Sequence, residues 1–384
     1  MAGKSVVVLG GGIGGVAVAN LLRDKLGVKA DITVIDRKKF FQFPPSFPWV
    51  MLGDRKPQQA ERELSRLKKK GIAVSGGEVS EIDLANRSVR VDGSSLTYEY
   101  LIIALGADYA PERIPGFGTN SHHIYDLESA TKLHQALTHF DGEVIAVGVS
   151  SLPFKCPAAP YETALLVDHY FKARGPENKV RIKFFTPEGL PLPSAGPDIG
   201  KVMLDLLKAR GIDATFKVKL AEVKPGQAIF DDGSTLSYDL LIAVPPHTSP
   251  PVVQQAGLTD ETGWIPVEPT TMRTKHDNVY ALGDVASVPT PSGFVPYLPK
   301  AGVFAHHQAE VVANNIAVEI KGRGQIKAWD GGGACFLMTG GADAAFVKGT
   351  WFATPRPAVE FSPPSRIMYM QRVLFEKFWM RRWF

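Results

Sequence analysis

The chain has 384 residues, of which 45% are hydrophobic and 21% charged, and its formal net charge is +4. This composition excludes a disordered polar chain, and the length suits two or three domains better than one small core. The small net charge gives no support to a nucleic acid partner, and two cysteines cannot form a disulfide framework for a chain of this size.

The N-terminal residues lead directly into a predicted strand, without the charged region and small-residue cleavage site of a signal peptide. The sequence also contains no apolar run of the roughly 18 residues that are needed to span a bilayer. We therefore expect an unexported protein that has no transmembrane helix.

The most informative motif follows the first predicted strand, residues 5–9, and precedes a predicted helix. Its G-x-G-x-x-G glycines are Gly10, Gly12 and Gly15. Such glycines allow a tight turn, a close approach of the backbone to a pyrophosphate, and close packing of helix on strand. A second predicted strand, residues 31–35, ends at Asp36, about 20 residues further on, where a carboxylate can hold ribose hydroxyls. The pattern predicts a Rossmann-type dinucleotide site.

Two later segments indicate FAD rather than NAD as the dinucleotide. The segment LTYEYLIIALGADY (96–109) is an apolar strand that closes on Gly106, and TKHDNVYALGDVASVP (274–289) places a strand before Gly283 and Asp284. This pair resembles the further signatures of flavoproteins with two dinucleotide-binding domains, in which the second aspartate binds the ribityl chain of FAD. Asp284 could also cap the following helix, and the two roles are compatible.

A second predicted nucleotide turn is degenerate. In GEVIAVGVSSLPFKCPAAPYE (142–162) only Gly148 of the expected glycines is present, and Pro153 and Pro157 interrupt the opening of the helix. Proline removes backbone donors, so this turn does not rebuild a phosphate cradle. We therefore expect NADH not to be the electron donor, and Cys156, which lies in this loop, becomes the candidate redox group together with Cys335.

At the level of the whole chain, we predict an α/β protein with two Rossmann-like domains of the glutathione-reductase-like flavoprotein type and a C-terminal membrane-associating segment. The predicted divisions are a first part of the FAD domain (1–110), a second Rossmann-like domain with a degenerate NAD site (111–245), a second part of the FAD domain (246–320), and a quinone-site and membrane-attachment region (321–384).

Several segments carry a more specific resemblance. FFQFPPSFPWVMLG (40–53), PFKCPAAPYE (153–162), LPKAGVFAHHQAEVVANNI (298–316) and GGGACF (331–336) resemble the sulfide:quinone oxidoreductase family and the related flavin subunit of flavocytochrome c sulfide dehydrogenase. The resemblance implies that Cys156 and Cys335 flank the flavin and carry a disulfide or sulfur bridge. It also implies that Glu162 helps to move protons and that Lys300 lies near the flavin and the quinone.

Together, the motifs and the resemblance define the candidate site residues. The predicted catalytic residues are Cys156, Cys335 and Glu162. The predicted FAD-binding residues are Gly10, Gly12, Gly15, Asp36, Arg37, Val79, Gly106, Gly283, Asp284 and Lys300. The predicted quinone contacts are Tyr297, Lys300 and Phe336, and no Cys/His spacing predicts a metal site.

The chain departs from its apparent relatives at two points. Many bacterial members of the family have a third cysteine where this chain places Tyr125, so a two-cysteine cycle is expected here. His122 and His123 lie nearby and are either loop residues or proton shuttles. The flavocytochrome subunit holds its flavin through a cysteine in the segment that matches residues 40–53, which contains none here. We therefore expect noncovalent FAD.

The C-terminal segment SRIMYMQRVLFEKFWMRRWF (365–384) combines aromatic and basic residues, as is typical of the headgroup boundary of a membrane. The alternative is a helix that docks on the protein body. The predicted function is oxidation of hydrogen sulfide by a peripheral membrane enzyme that reduces quinone. A monomer and a homo-oligomer are both compatible with the sequence. The alternatives are an NADH:quinone oxidoreductase, a sulfide dehydrogenase subunit that donates to cytochrome c, and a noncatalytic flavin-bound subunit.

Overall fold

The computed structural model describes residues 3–175 and 178–384. The strands and helices of the first part of the chain are β1 (Lys4–Leu9), α1 (Ile13–Leu26), β2 (Ala30–Asp36), β3 (Phe40–Gln42), α2 (Phe47–Leu52), β4 (Glu61–Glu63), β5 (Ala73–Gly76), β6 (Val79–Asp83), β7 (Ser88–Val91), β8 (Ser94–Thr97), β9 (Tyr100–Ile103) and β10 (Asp108–Tyr109).

The middle of the chain continues with α3 (Phe117–Asn120), α4 (Leu127–Thr138), β11 (Val144–Val149), α5 (Ala159–Lys172), β12 (Arg181–Thr186), α6 (Pro197–Arg210), β13 (Asp213–Phe216), β14 (Leu220–Lys224), β15 (Gln227–Phe230), β16 (Thr235–Ser237) and β17 (Leu240–Val244). The last part comprises β18 (His247–Thr248), α7 (Pro251–Gln255), β19 (Ile265–Pro266), β20 (Val279–Ala281), β21 (Ala286–Ser287), α8 (Gly302–Lys321), β22 (Gly332–Gly340), β23 (Asp343–Thr350), β24 (Ala358–Ser365) and α9 (Arg366–Arg382).

The first sheet is parallel, with the strand order β20-β9-β1-β2-β5. Its central strand β1 is an apolar run whose side chains Val6, Val8 and Leu9 are fully buried, as expected for a strand covered on both faces. Helices α1 and α8 pack against each other over this core. Because the carboxyl ends of parallel strands meet at one edge, the predicted FAD-binding residues that follow β1, β2, β9 and β20 are brought together there.

The second sheet is also parallel, with the order β13-β12-β11-β17. The loop that follows β11 carries Cys156 and leads into α5, which packs against β11, β12 and β22. Both predicted Rossmann-like sheets are present, so the α/β prediction is confirmed. The domain boundaries proposed near residues 110, 245 and 320 stay predictions.

The C-terminal region forms an antiparallel sheet in the order β22-β23-β24, with Cys335 on its edge strand β22. Helix α9 packs against β22, β23 and β24. In the described ranges, 3–175 and 178–384, no helix combines the length and the apolar character required to cross a bilayer.

Helix α9 has two different faces. The inner face is buried and consists of Arg372, Glu376, Trp379, Met380 and the following residue Trp383. Four apolar side chains on the opposite face are exposed to solvent: Ile367 (66%), Met370 (63%), Leu374 (62%) and Phe378 (65%). Their spacing of three, four and four residues places them on one stripe of the helix. The tail therefore docks on the body and still presents an apolar surface.

Candidate active site

The glycine-rich turn has the geometry of a phosphate cradle. Gly10 adopts φ +100°, and a Cβ there would overlap the carbonyl oxygen of Ala104, while a Cβ at Gly15 would overlap the carbonyl oxygen of Gly10. Gly12 is the N-cap of α1 and has nothing within 4 Å of the position that a Cβ would take. This open space beside Gly12 lies at the N-terminus of α1, where the positive end of the helix dipole favours an anionic group.

Asp36 and Arg37 lie beside this turn. The Asp36 carboxylate accepts hydrogen bonds from the backbone N–H of Gly11 and of Lys38, each at 2.6 Å. Arg37 pairs with Asp108 at 2.8 Å and with Glu78 at 3.3 Å, so its guanidinium is already engaged by acids. The side chain of Val79 is buried in the core at the start of β6, so only its backbone is available to a cofactor.

Asp284 provides the clearest sign of a bound group. Its Oδ1 atom is buried and has no hydrogen-bond partner among the described residues. The adjacent Gly283 adopts φ +75° and donates its N–H to Gln308 at 2.7 Å, and Gly106 adopts φ +74° with open space around its Cβ position. A buried acceptor without a donor is costly unless a ligand supplies one. The hydroxyl groups of a ribityl chain suit this acceptor, so the residues at this edge of the sheet fit FAD.

Lys300 is buried next to Asp284. Its Nζ donates to the carbonyl oxygens of Asp284 at 2.6 Å and Ala286 at 3.2 Å, and it lies 3.5 Å from the centroid of the Trp264 ring. Burial lowers the pKa of Lys300 to about 7, against the opposing effect of the Asp284 charge. Lys300 can therefore hold or release a proton near neutral pH.

The structure brings the two cysteines, which are 179 positions apart, to one place. Both are free thiols with solvent access, yet protein surrounds them closely enough for burial to raise the pKa of each. The two cysteines share one region because α5, the helix that follows Cys156, packs against β22, which carries Cys335. The Glu162 carboxylate of α5 accepts a hydrogen bond from the N–H of Met338 on β22, and the charge of Cys335 contributes to the raised pKa of Cys156.

Cys156 is held in an unusual backbone conformation, with φ +55°. Its N–H donates to the carbonyl oxygen of Lys300 at 2.6 Å, and its own carbonyl oxygen accepts from the N–H of Ala159 at 2.9 Å. Burial raises the pKa of the Cys335 thiol to about 11, although the charge of Arg372 opposes this rise. Raised pKa values leave little thiolate at neutral pH, so the reduced thiols are weak nucleophiles in this environment.

Glu162 lies in the first turn of α5, six residues after Cys156, and it is not a free acid. Its Oε1 accepts from the N–H of Met338 at 2.9 Å and from Arg372 at 2.7 Å. Burial raises the pKa of Glu162, while the charge of Arg372 and the Met338 N–H oppose the rise. Both hydrogen bonds are made to Oε1, so Oε2 is the oxygen at which the proton-transfer role implied by the resemblance would take place.

The predicted quinone contacts occupy different surroundings. Phe336 contacts Phe346 at 4.8 Å and Phe375 of α9 at 6.3 Å between ring centroids. Lys300 lies instead against Trp264 and Asp284, and Tyr297 is 38% exposed in the loop before it. Phe336 is thus the candidate that faces the C-terminal helix.

Sequence reasoning missed Arg372 as a site residue and placed it, with Glu376, among the polar residues of a membrane-facing tail. The structure corrects this, because both side chains are buried on the inner face of α9. The sequence also gave no indication of the cluster formed by Tyr109, Tyr125, Lys155 and His247, of which Tyr125 and His247 are buried. In this cluster the Tyr109 hydroxyl donates to the carbonyl oxygen of Tyr125 at 2.7 Å. His123 is half-buried against Ser129, at 3.3 Å.

A cavity of about 640 Å³ lies beside the degenerate turn of the second sheet. Ser151, Leu152 and Pro153 line it after β11, and His247 and Thr248 line it after β17. It occupies the edge where open α/β sheets bind ligands, but the glycine cradle for a pyrophosphate is missing. A Cβ on Gly148, the one glycine of the turn, would overlap Phe185 rather than face open space.

Comparisons with known proteins agree with this geometry. Residues 4–311 match the family described as pyridine nucleotide-disulphide oxidoreductase. The mouse mitochondrial sulfide:quinone oxidoreductase is 26% identical over 354 residues, which cover 87% of this chain and 75% of the mouse protein. The sulfide-quinone reductase of Aquifex aeolicus is 28% identical over 83% of this chain and 77% of its own length.

The X-ray structure of the sulfide:quinone oxidoreductase from Aquifex aeolicus superposes with a TM-score of 0.90 and 26% identity, covering 99% of this chain and 91% of the other. The chain belongs to the pyridine nucleotide-disulphide oxidoreductase family. The predicted resemblance to sulfide:quinone oxidoreductases and the predicted FAD cofactor are confirmed.

Proposed function

We propose that this protein is an FAD-dependent sulfide:quinone oxidoreductase. The observation that carries the proposal is that two cysteines from distant parts of the chain are brought to one region by the packing of α5 on β22, and that the Cys156 loop is tied through Lys300 to the unpartnered Asp284 of an FAD-type site. The second nucleotide turn, which would receive NADH in a relative that uses it, lacks its glycines. In this proposal hydrogen sulfide, which reacts at the two cysteines, replaces NADH as the source of electrons for the flavin.

In the proposed cycle, sulfide attacks one sulfur of an oxidised Cys156–Cys335 bridge. The bond between the two cysteines breaks, a new S–S bond forms to the incoming sulfur, and the other cysteine leaves as a thiolate. FAD bound at the glycine-rich turn supplies the two-electron acceptor that passes the electrons to quinone. Overall, H₂S gives up two electrons and two protons to quinone, and sulfur at oxidation state zero departs as polysulfide or on an acceptor.

The surrounding residues have distinct proposed tasks. The glycine-rich turn and Asp36 hold the dinucleotide, and Asp284 accepts a hydroxyl hydrogen bond through its unpartnered Oδ1. Lys300 keeps a protonatable amine beside Asp284, and its pKa of about 7 lets it exchange a proton during turnover. Phe336 is the proposed aromatic contact for a quinone that arrives along α9, where it already meets Phe375.

We further propose that α9 attaches the protein to a membrane surface. The stripe of Ile367, Met370, Leu374 and Phe378 would enter the headgroup boundary, where burial of each large apolar side chain contributes about 1.5–3 kcal/mol. Lys377, Arg381 and Arg382 are exposed on the same helix and suit anionic lipid headgroups. This orientation brings a lipid-soluble quinone to the side of the site that Phe336 faces.

The deciding experiment is an anaerobic titration of the FAD-loaded protein with sulfide, followed by a soluble quinone. Sulfide should bleach the flavin absorbance in a two-electron step, and quinone should restore it. Bleaching by NADH at the same concentration would favour an NADH:quinone oxidoreductase instead. Transfer of electrons to cytochrome c but not to quinone would favour the sulfide dehydrogenase subunit, and no response to either donor would favour a noncatalytic flavin-bound subunit.

A further inference from the structure

The edge strand β22 carries Cys335, and its outer edge has no neighbouring strand in the sheet order β22-β23-β24. Two of its backbone groups on this edge are nevertheless bonded. The Phe336 carbonyl oxygen accepts from Arg372 Nη1 at 3.3 Å, and the Met338 N–H donates to Glu162 Oε1 at 2.9 Å. A carbonyl and an N–H two residues apart point to the same side of a strand, and they are the groups that a neighbouring strand would pair.

The donor and the acceptor that occupy this edge are themselves paired. Arg372 and Glu162 form an ion pair at 2.7 Å, and each side chain is only 6% exposed. Arg372 Nη2 also donates to the Pro45 carbonyl oxygen at 2.9 Å, and its guanidinium lies 5.0 Å from the Trp49 ring centroid. One side chain of α9 is therefore fixed simultaneously to β22, to α5 and to the segment that precedes α2.

This arrangement links the two cysteines. Glu162 belongs to α5, the helix that follows Cys156, and Phe336 directly follows Cys335. A disulfide forms only when the two Cβ atoms lie about 3.5–4.5 Å apart with suitable orientation, so small movements of an edge strand decide whether the bridge can close. On its open edge a strand lacks the ladder of hydrogen bonds that a neighbouring strand would supply, so side-chain contacts on that edge help to fix its position.

We propose that Arg372 is a positioning residue that, with Glu162, takes the place of a missing neighbour strand on β22 and holds Cys335 opposite Cys156. Glu162 serves in this pair as the acceptor that fixes the strand, not as a carrier of protons. The inference rests on the proposed function only in treating Cys156 and Cys335 as the redox pair.

The test compares four variants of the full-length, FAD-loaded protein with wild type. Arg372→Met removes the guanidinium with little loss of length. Arg372→Lys keeps the positive charge but lacks the two Nη groups that bond Glu162, Phe336 and Pro45 at the same time. Glu162→Gln keeps an acceptor oxygen for Met338. Arg381→Met removes an exposed arginine from the other side of α9 and is the matched control.

The primary measurement is the rate at which reduced protein forms the Cys156–Cys335 disulfide with oxidised glutathione, followed by mass spectrometry of alkylated peptides. Two protein thiols and one oxidised glutathione give one protein disulfide and two reduced glutathiones, so no sulfide, quinone or turnover is involved. Arg372→Met should slow bridge formation at least tenfold, Arg372→Lys should slow it less, and Arg381→Met should match wild type.

A second readout separates positioning from proton transfer. Glu162→Gln should lower the rate of bridge formation only a few-fold and should leave the shape of the pH profile of sulfide-driven flavin reduction unchanged. Loss of one limb of that profile would assign Glu162 to proton transfer and overturn its positioning role. If Arg372→Met does not fold, the double variant Glu162→Gln/Arg372→Met removes the unpaired buried charge and is tested in its place.

A wild-type rate of disulfide formation in folded Arg372→Met, or in the folded double variant, would overturn the proposal. Failure of the proposed function gives a different pattern. In that case sulfide would not bleach the flavin of the wild-type protein, while disulfide formation would still depend on Arg372.

Discussion

The backbone N–H of Cys156 donates a 2.6 Å hydrogen bond to the carbonyl oxygen of Lys300, whose Nζ donates to the carbonyl oxygen of Asp284. The loop that carries the first cysteine is thus tied to the aspartate proposed to hold FAD. The φ of +55° at Cys156 is unfavourable for a residue with a Cβ, and such conformations persist where the surrounding contacts impose them.

Replacing either cysteine by serine should abolish sulfide-driven quinone reduction while FAD remains bound. Serine preserves the size of the side chain but cannot accept a sulfur atom or form a disulfide. The expected loss for Cys156→Ser and Cys335→Ser is several orders of magnitude, on the order of ~10³ or more for removal of a covalent catalyst. Steady-state quinone reduction and flavin content measure the two effects separately. Near-normal activity in either flavin-loaded variant would contradict the mechanism.

The flavin should be released when the protein is unfolded, because residues 40–53 contain no cysteine to tether it. Acid or heat denaturation followed by filtration should leave the yellow chromophore in the filtrate. Flavin that stays with the precipitated chain would show a covalent bond to some other side chain.

Charged residues on the outer face of α9 should weaken binding to vesicles. The double variant Leu374→Glu/Phe378→Glu removes two apolar side chains that are 62% and 65% exposed and should weaken binding by at least about 10-fold. Co-sedimentation with vesicles that contain anionic lipid measures this change. Lys208→Glu on α6 makes the same change in net charge on another helix and should have little effect.

Substitution is a cleaner test of membrane binding than truncation before Ser365. Truncation would also remove Trp379 and Trp383, which are buried against the body, and would therefore expose part of the core. Equal sedimentation of the double variant and the wild type would show that α9 serves only as a docked helix.

The stability of the cofactor-free protein should depend on Lys300 between about pH 7 and pH 10.5. Burial lowers the pKa of Lys300 to about 7 from 10.5, so across this window the unfolded chain binds more protons than the folded chain. The free energy of unfolding should therefore rise with pH in that range. Urea denaturation at several pH values should show a smaller rise for Lys300→Met than for wild type. Parallel curves for the two proteins would mean that Lys300 stays charged when folded.

The sequence was sufficient to predict the FAD cradle because its signals are local. Gly10, Gly12 and Gly15 lie within six residues at a strand–helix turn. Gly10 and Gly15 have a conformational or steric reason to be glycine, and Gly12 leaves the open space that a dinucleotide needs. The pairing of Cys156 with Cys335 came from chemical reasoning about the degenerate turn and from family resemblance.

The ion pair between Glu162 and Arg372 could not be predicted in the same way. The two residues are 210 positions apart, and they meet only because α5, β22 and α9 pack together. In sequence, Arg372 is one of several basic residues in an aromatic tail, and no local spacing distinguishes it from the exposed Arg381. The alternation of buried and exposed positions along α9 is also hard to recognise because both faces of the helix carry apolar and charged side chains.

Helix α9 could not be replaced by just any lipid-binding helix, because it also supplies Arg372 to the site. Its exposed stripe could be reproduced by many amphipathic helices, and a graft of one of them would restore attachment to lipid. Such a graft would lack the guanidinium that reaches the Phe336 carbonyl oxygen, Glu162 and the Pro45 carbonyl oxygen. A chimaera of this kind should sediment with vesicles but form the Cys156–Cys335 disulfide slowly. Attachment to lipid and positioning of the two thiols would then be separate properties of one seventeen-residue helix.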